Sequence, residues 1–493
     1  MSYGPIERGL IFAHRWLGIV LALLMLLWTV SGIVMLYVAF PVLTESERNA
    51  GLETLDLEDC CAEGVGEELA GSSRLVVSML AGEPVARFGA SFSAGETLRL
   101  RDGRWLGDLS ANSARDVALT HLNNRGTRAA AETVEVIDID QWTVSGQFRA
   151  HQPLYKVTTD SAAGDVLYVS GPSGEVLLDT HRRERFWNWL GAVPHWLYFR
   201  ALRAEQTLWH QVVVWTSLLG TLLIAAGIYL GIKRTLAAGG RWTRYLGAMR
   251  WHHLTGLFFG LVTLTWVFSG LMSMNPWGLM DFEGSAEERA RLEGEPLNAE
   301  DINSVLAIVD RALDSGDVSM TISARVDGVS VVVLDRDGRR RRLSADDLSP
   351  RPVTLAEIKT MIATMRPDVS TSSVEQIAEG DAYYFNHKRE VRLPAYRAIL
   401  GDAPATRYYF DADTGELLRK FDAAAMQYRW WHAGLHSLDV TPLLRMRPLW
   451  DLIMLVLLSG VTAVCAVGCW VSVRHLRGNR RRRAADNVAS ADH

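Results

Sequence analysis

His14-Arg15-Trp16-Leu17-Gly18 opens an apolar run that continues through Trp28 to Ser31-Gly32. The same frame returns as His252-His253-Leu254-Thr255-Gly256, Trp266 and Ser269-Gly270, each position 238 residues after its first occurrence. A repeat this wide divides the chain into two halves. A second series of matches lies 241 residues apart: Asp140 and Asp381, Tyr155 and Tyr396, Tyr168 and Tyr409, Gly174 and Gly415, Trp189 and Trp430, His195 and His436, Trp209 and Trp450. Each half therefore reads as an apolar run, a polar lobe and a second apolar run.

Four runs, about 17–40, 212–232, 254–274 and 449–473, reach the roughly 20 residues that a membrane-crossing helix needs. At 493 residues, with 48% hydrophobic and 22% charged residues, the chain fits membrane spans joined to soluble lobes. The predicted division is a tail and first span (1–40), a first lobe (41–207), a second span (208–232) and a basic loop (233–250). A third span (251–275), a second lobe (276–447), a fourth span (448–473) and a basic tail (474–493) follow. The fold class is an α-helical membrane protein, a four-helix bundle carrying two α+β lobes, built by internal tandem duplication. Parallel repeats of this kind are related by an axis along the membrane normal, which places equivalent residues at equal depth.

Short-loop charge sets the orientation. Lys233, Arg234, Arg241, Arg244 and Arg250 lie in the loop, Arg474, Arg477 and Arg480 to Arg483 in the tail, and Arg8 and Arg15 near the start. All three segments fall on one side, read as cytoplasmic, and the lobes on the other. The first run begins too late and is too long for a cleaved signal peptide, so it reads as an uncleaved anchor. In a bacterium this describes a multi-pass inner-membrane protein with both termini cytoplasmic and periplasmic lobes. A net charge of -5 makes nucleic acid a poor partner. Four Cys are too few for a disulfide scaffold. Cys60 and Cys61 are adjacent and bridge only with strain, while Cys465 and Cys469 share a helix face as small hydrophobes.

In the lobes, 154–157, 165–169 and 175–178 read as strands, with a turn at Pro172-Ser173-Gly174. The second half repeats them at 395–398, 407–410 and 416–418 after the turn Ala412-Asp413-Thr414-Gly415. Further predictions are helices at 302–313 and 355–365, strand character over 320–334, and a hairpin turn at Asp335-Arg336-Asp337-Gly338. The first-half counterpart of that region, about 73–122, resists alignment.

Seven of the thirteen His cluster at the ends of the spans: His14, His252 and His253 at one side, His195, His210, His432 and His436 at the other. Ionisable groups at membrane depth are costly and are functional candidates by default. A single such His most often only snorkels, but His14 with His252, and His195 with His436, are equivalent pairs. A two-fold axis brings each pair together, and two facing imidazoles suit the axial positions of haem iron. Gly18 and Gly256 leave room for a flat ring, and Arg15 and Arg250 are candidate partners for propionates. Without a Cys-x-x-Cys-His motif the haem is b-type, and two sites imply two haems. Zinc or copper is the competing use, although zinc favours four compact ligands.

His210 and His432 break the repeat, falling opposite Asp451 and Gly191, and are the candidates for binding a substrate metal or for an alternative haem ligand. His253 points about 100° away from His252 on a helix, so the two do not serve one metal. His121, His151, His181, His387, His475 and His493 read as solvated surface residues. Trp28 and Trp266 lie near mid-membrane, as packing residues or as an aromatic relay between the two sites.

The entry His-Arg-Trp-Leu-Gly with its later Ser-Gly, the segment Tyr-Tyr-Phe-Asp-Ala-Asp-Thr-Gly-Glu-Leu-Leu (408–418) and Trp-Trp-His-Ala-Gly-Leu-His (430–436) resemble the PepSY-associated transmembrane-helix proteins. The resemblance covers nearly the whole chain and is weakest over about 41–130 and 276–350. It implies PepSY-like lobes, an inner-membrane protein linked to iron uptake, and, as in some members, a ferric-siderophore reductase with haem in the bundle. It makes His14, His252, His195 and His436 the haem-ligand candidates, the four that the repeat selects. The vicinal Cys60-Cys61 has no counterpart in the resemblance.

The leading expectation is a b-haem electron-transfer protein that accepts electrons from a quinol or a cytoplasmic reductant and reduces ferric iron or a ferric siderophore at the opposite face. The competing readings are a haem-free sensor or assembly factor and an iron or siderophore carrier. Four spans with little internal polarity beyond the His argue against a carrier.

Overall fold

Four long helices carry the apolar runs: α1 (Pro5–Met35), α2 (Gln206–Leu236), α3 (Gly247–Ser273) and α4 (Leu449–Ala491). In lipid every backbone N–H and C=O must be satisfied within the segment, which an unbroken helix achieves. Each is long and apolar enough to cross a membrane, α4 through its Leu449–Arg477 part. The computed structural model describes residues 4–491 except 59, 90–94, 108 and 388–389, and only the backbone of 478–491. His493 lies outside the described residues.

The helices begin before the apolar runs do. Pro5 opens α1, where its fixed φ and missing N–H suit the first turn. His14 therefore stands inside a helix, not at its mouth, and His252 and His253 stand in the second turn of α3. Helices α1 and α3 each pack against both α2 and α4, so α1 and α3 face each other across the diagonal of a four-helix bundle. Leu21, Met25, Leu223, Trp266, Met454, Leu458 and Val461 fill its middle. At Gly460 a Cβ would overlap the Phe259 ring, so only glycine lets α3 and α4 meet there.

The helices form one compact unit with their flanking segments, Met1–Phe40, Trp187–Asp281 and Met426–His493; Pro41–Phe186 and Phe282–Ala425 form a second. The stretches 187–207 and 426–447, assigned to the lobes by sequence, cluster with the helices. Ala192, Val193, Leu197 and Arg429 are buried there, and Gly191 lies close against Val34 of α1.

The second unit holds fourteen strands among the described residues. Those of the first half are β1 (Arg74–Leu80), β2 (Glu83–Phe88), β3 (Thr97–Arg99), β4 (Ala131–Ile137), β5 (Leu154–Thr159), β6 (Val166–Ser170) and β7 (Val176–Thr180). The second half contributes β8 (Asp317–Arg325), β9 (Gly328–Asp335), β10 (Arg340–Ser344), β11 (Thr371–Ile377), β12 (Ala395–Leu400), β13 (Arg407–Asp411) and β14 (Leu417–Phe421). Strands β4–β7 and β11–β14 form antiparallel four-stranded sheets in sequence order. Helix Ala111–Asn124 covers the first through Ala114, Val117, Ala118 and Leu122. Helix Leu355–Met365, opened by a Thr354/Glu357 capping box, covers the second through Ile358, Met361, Ile362 and Met365.

The remaining strands form one sheet, ordered β10-β9-β8-β1-β2-β3. Its centre is the antiparallel pairing of β1 with β8, Leu75 opposite Ile322 and Val77 opposite Met320. Two lobes expected to be separate thus share a sheet and a core, which includes Leu75, Val77, Met320, Ile322, Val331 and Val333. The stretch that resisted alignment, 73–122, carries three strands and a helix, the same order as 317–365.

Two of the expected surface histidines are buried. His121 lies on the core-facing stripe of its helix with Ala114, Val117 and Ala118, and is 4% exposed. Burial, with Arg125 and Arg48 nearby, pushes its imidazole down to about 3. His151 is buried beside the Ser170 hydroxyl, 3.2 Å away. His181 is exposed, and His387 and His475 are half-buried. Cys60 and Cys61 are bridged to each other, and Cys465 is buried in α4.

Candidate functional site

The bundle brings together both histidine pairs that the repeat selects. The His14 and His252 rings lie 6.2 Å apart between centroids, as do the rings of His195 and His436. A metal–imidazole nitrogen bond is about 2.0 Å. Adding roughly 1.1 Å from nitrogen to ring centre on each side gives about 6.2 Å for two imidazoles on opposite faces of one metal ion. The spacing equals that of two imidazoles whose Nε2 atoms meet one metal and is longer than ring stacking requires.

Hydrogen bonds fix the tautomers. His14 Nδ1 lies 2.9 Å from the Leu223 carbonyl oxygen. A carbonyl only accepts, so Nδ1 carries the proton and Nε2 keeps its lone pair. His195 Nδ1 lies 3.0 Å from the Trp28 carbonyl and 3.1 Å from Ser31 Oγ. The Ser31 hydroxyl donates to the Leu27 carbonyl at 2.7 Å and therefore accepts from His195. His436 Nδ1 lies 2.9 Å from Ser269 Oγ, whose hydroxyl donates to the Trp266 carbonyl at 2.9 Å. The fourth imidazole, His252, lies near the Val464 carbonyl, the counterpart of Leu223 241 residues on, but its Nδ1 does not close a hydrogen bond. Metal-ligating histidines usually donate their second ring N–H in this way.

The same test separates His253 and His210, but not His432, from the four paired residues. His253 Nε2 lies 3.0 Å from the Gly231 carbonyl, and His210 Nε2 lies 3.0 Å from the Met274 carbonyl. Both carry the proton on Nε2; His253 ties α3 to α2, and His210 ties α2 to the residue that caps α3. His432 donates Nδ1–H to the Ser269 carbonyl at 3.3 Å and stacks on His436, with centroids 5.3 Å apart. Arg15 and Arg250 are exposed.

Glycines shape the first pair. A Cβ on Gly227 of α2 would lie 2.6 Å from His14 Cε1, and one on Gly468 of α4 would lie 3.4 Å from His252 Cε1. These two are also 241 residues apart. Gly18 faces Leu223, and Gly256 faces open space. The roles of Gly227 and Gly468, and of the Ser31 and Ser269 hydroxyls, escaped the sequence reading, although the recurring Ser-Gly pair and the second offset marked all four.

The second pair is reached because the chain folds back. Ala192–His195 is a short helix, and the His195 ring meets α1 at Trp28, Ser31 and Gly32. His14 and Ser31 are seventeen residues apart on α1, or about 25 Å of helix rise. The backbones of Trp28 and Trp266 belong to the wall of this second site, and both indole N–H groups are buried without a partner.

Among the described residues no group of three or more His, Cys, Asp or Glu side chains converges on one point. Compared with protein-family models and with curated proteins, the chain matches none.

Proposed function

We propose that this chain is a b-haem electron-transfer protein of a bacterial inner membrane, a member of the PepSY-associated family that arose by tandem duplication. Its lobes lie in the periplasm and its basic loop and tail in the cytoplasm. It takes electrons from a quinol or a cytoplasmic reductant and reduces ferric iron or a ferric siderophore at the periplasmic face, one electron for each ferric ion.

The observation that carries this reading is the matched 6.2 Å spacing of His14 with His252 and of His195 with His436. The donor set fits the group. Two facing imidazoles suit a metal whose other positions are filled by its own macrocycle. Bound there, haem supplies a reversible one-electron iron couple. The chain's residues do the rest. Leu223, Trp28, Ser31 and Ser269 hold three of the rings by Nδ1 and leave Nε2 as the donor atom. Leu21, Met25, Trp266 and Leu458 keep the interior apolar, which excludes water.

The test is the absorption spectrum of the purified protein, oxidised and dithionite-reduced. The expected result is a b-type Soret and α band at two haems per chain. Absence of a Soret band after expression with ample haem would overturn the reading.

A further inference from the structure

The two centres share a spacing and differ in ring angle. The His14 and His252 planes are inclined by 39°, and those of His195 and His436 by 72°. One hydrogen bond at Nδ1 locates an imidazole but leaves its plane free to swing about the N···O line. A ring stacked on the imidazole restrains that plane.

We propose that His432 is the positioning residue that sets the plane of the His436 ring and makes the second centre electronically unlike the first. His432 stacks on His436 at 5.3 Å with planes 29° apart. It is itself pinned on two sides, by its Nδ1–H on the Ser269 carbonyl at 3.3 Å and by the Tyr428 ring at 5.5 Å. Ser269 holds both imidazoles, His432 through its carbonyl and His436 through its hydroxyl. The equivalent of His432 beside His195 is Gly191, which has no side chain. There Val34 of α1 closes in, its Cγ1 3.0 Å from where a Cβ would stand. The repeat thus supplies the ligand in both halves and this second histidine in one.

The inference rests on the proposed haem centres. Axial imidazoles near perpendicular donate into both iron orbitals of π symmetry and keep them close in energy. Planes nearer parallel split the two orbitals. Electron paramagnetic resonance of the oxidised protein reads that splitting directly as g-anisotropy.

The experiment uses the full chain in detergent, as wild type, His432→Leu and His432→Phe. The wild type should give two low-spin ferric signals, a strongly anisotropic large-g signal from the second centre and a rhombic one from the first. His432→Leu should move the large-g signal toward the rhombic type, leave the first signal in place and keep two haems per chain. His432→Phe, which keeps a ring but not the hydrogen bond, should retain the wild-type spectrum. Loss of the second haem in the Leu variant alone also supports the proposal, since the ring then holds the ligand. An unmoved large-g signal in His432→Leu overturns it. So does an equal shift or an equal haem loss in both variants, or a parallel change at the first centre. Haem present with an unmoved signal removes only this inference; a wild type without haem removes the proposed function and this inference with it.

Discussion

His14 and His252 stand inside spanning helices, while His195 and His436 stand on short segments that return to the bundle between a strand and a span. The first pair is shaped by its neighbours across the bundle: the Leu223 carbonyl holds His14, and Gly227 and Gly468 leave room for the two rings. Serine hydroxyls one helical turn beyond Trp28 and Trp266 hold the second. Equal spacing is thus reached by two supports, one made by helices fitting together and one by polar contacts to a folded-back segment. A site of the first kind should fail through overlap, and one of the second through lost hydrogen bonds.

The largest expected effect tests whether the pairs are independent. His14→Ala or His252→Ala should remove one haem and leave the other, and His195→Ala or His436→Ala should do the converse. The haem-to-protein ratio then falls by half in each variant, as measured by pyridine haemochrome absorbance. A single substitution that empties both sites would show that the pairs form one unit.

Crowding comes next. Gly227→Ala places a methyl group 2.6 Å from His14 Cε1, whereas Gly468→Ala places one 3.4 Å from His252 Cε1. The first contact forces the ring to move, and the second is absorbed by a small shift. Gly227→Ala should lose most of the first haem, Gly468→Ala a small part of it, and neither should lose the second. Equal losses would break the account of the first support.

A smaller effect probes the serines. Removing a hydrogen bond to a metal ligand weakens metal binding by roughly 10-fold. Ser269→Ala should weaken the second haem by about that factor in a haem titration. Ser31→Ala should be milder, because His195 Nδ1 also reaches the Trp28 carbonyl. The least effect is expected at His253 and His210. Gln at either position still donates to Gly231 or Met274, so haem content should stay at the wild-type value. A lost haem in His253→Gln would make that residue a ligand and overturn the tautomer argument.

The repeat makes the paired positions visible in the sequence. His14 with His252, and His195 with His436, were legible because identity at a fixed offset is independent of loop shape. The strands 154–157 and 395–398 were legible from their alternation and turns. Other features were not legible because they depend on contacts distant in sequence. Nothing in the composition of β1 or β8 tells that Leu75 pairs with Ile322. His121 passed for a surface residue because one polar side chain on a helix carries no sign of which way its stripe faces. Likewise, Nδ1 of His14 meets a carbonyl 209 residues away, and backbone acceptors leave no trace in side-chain identity.

The β1–β8 seam has a consequence of its own. Without its partner, each strand would be the bare margin of a three-stranded sheet, with Leu75 and Val77 or Met320 and Ile322 uncovered, a template for stray pairing. Each half of the chain is the other's chaperone along that edge. Two fragments divided in the basic loop and produced together should therefore zip along the seam into one particle.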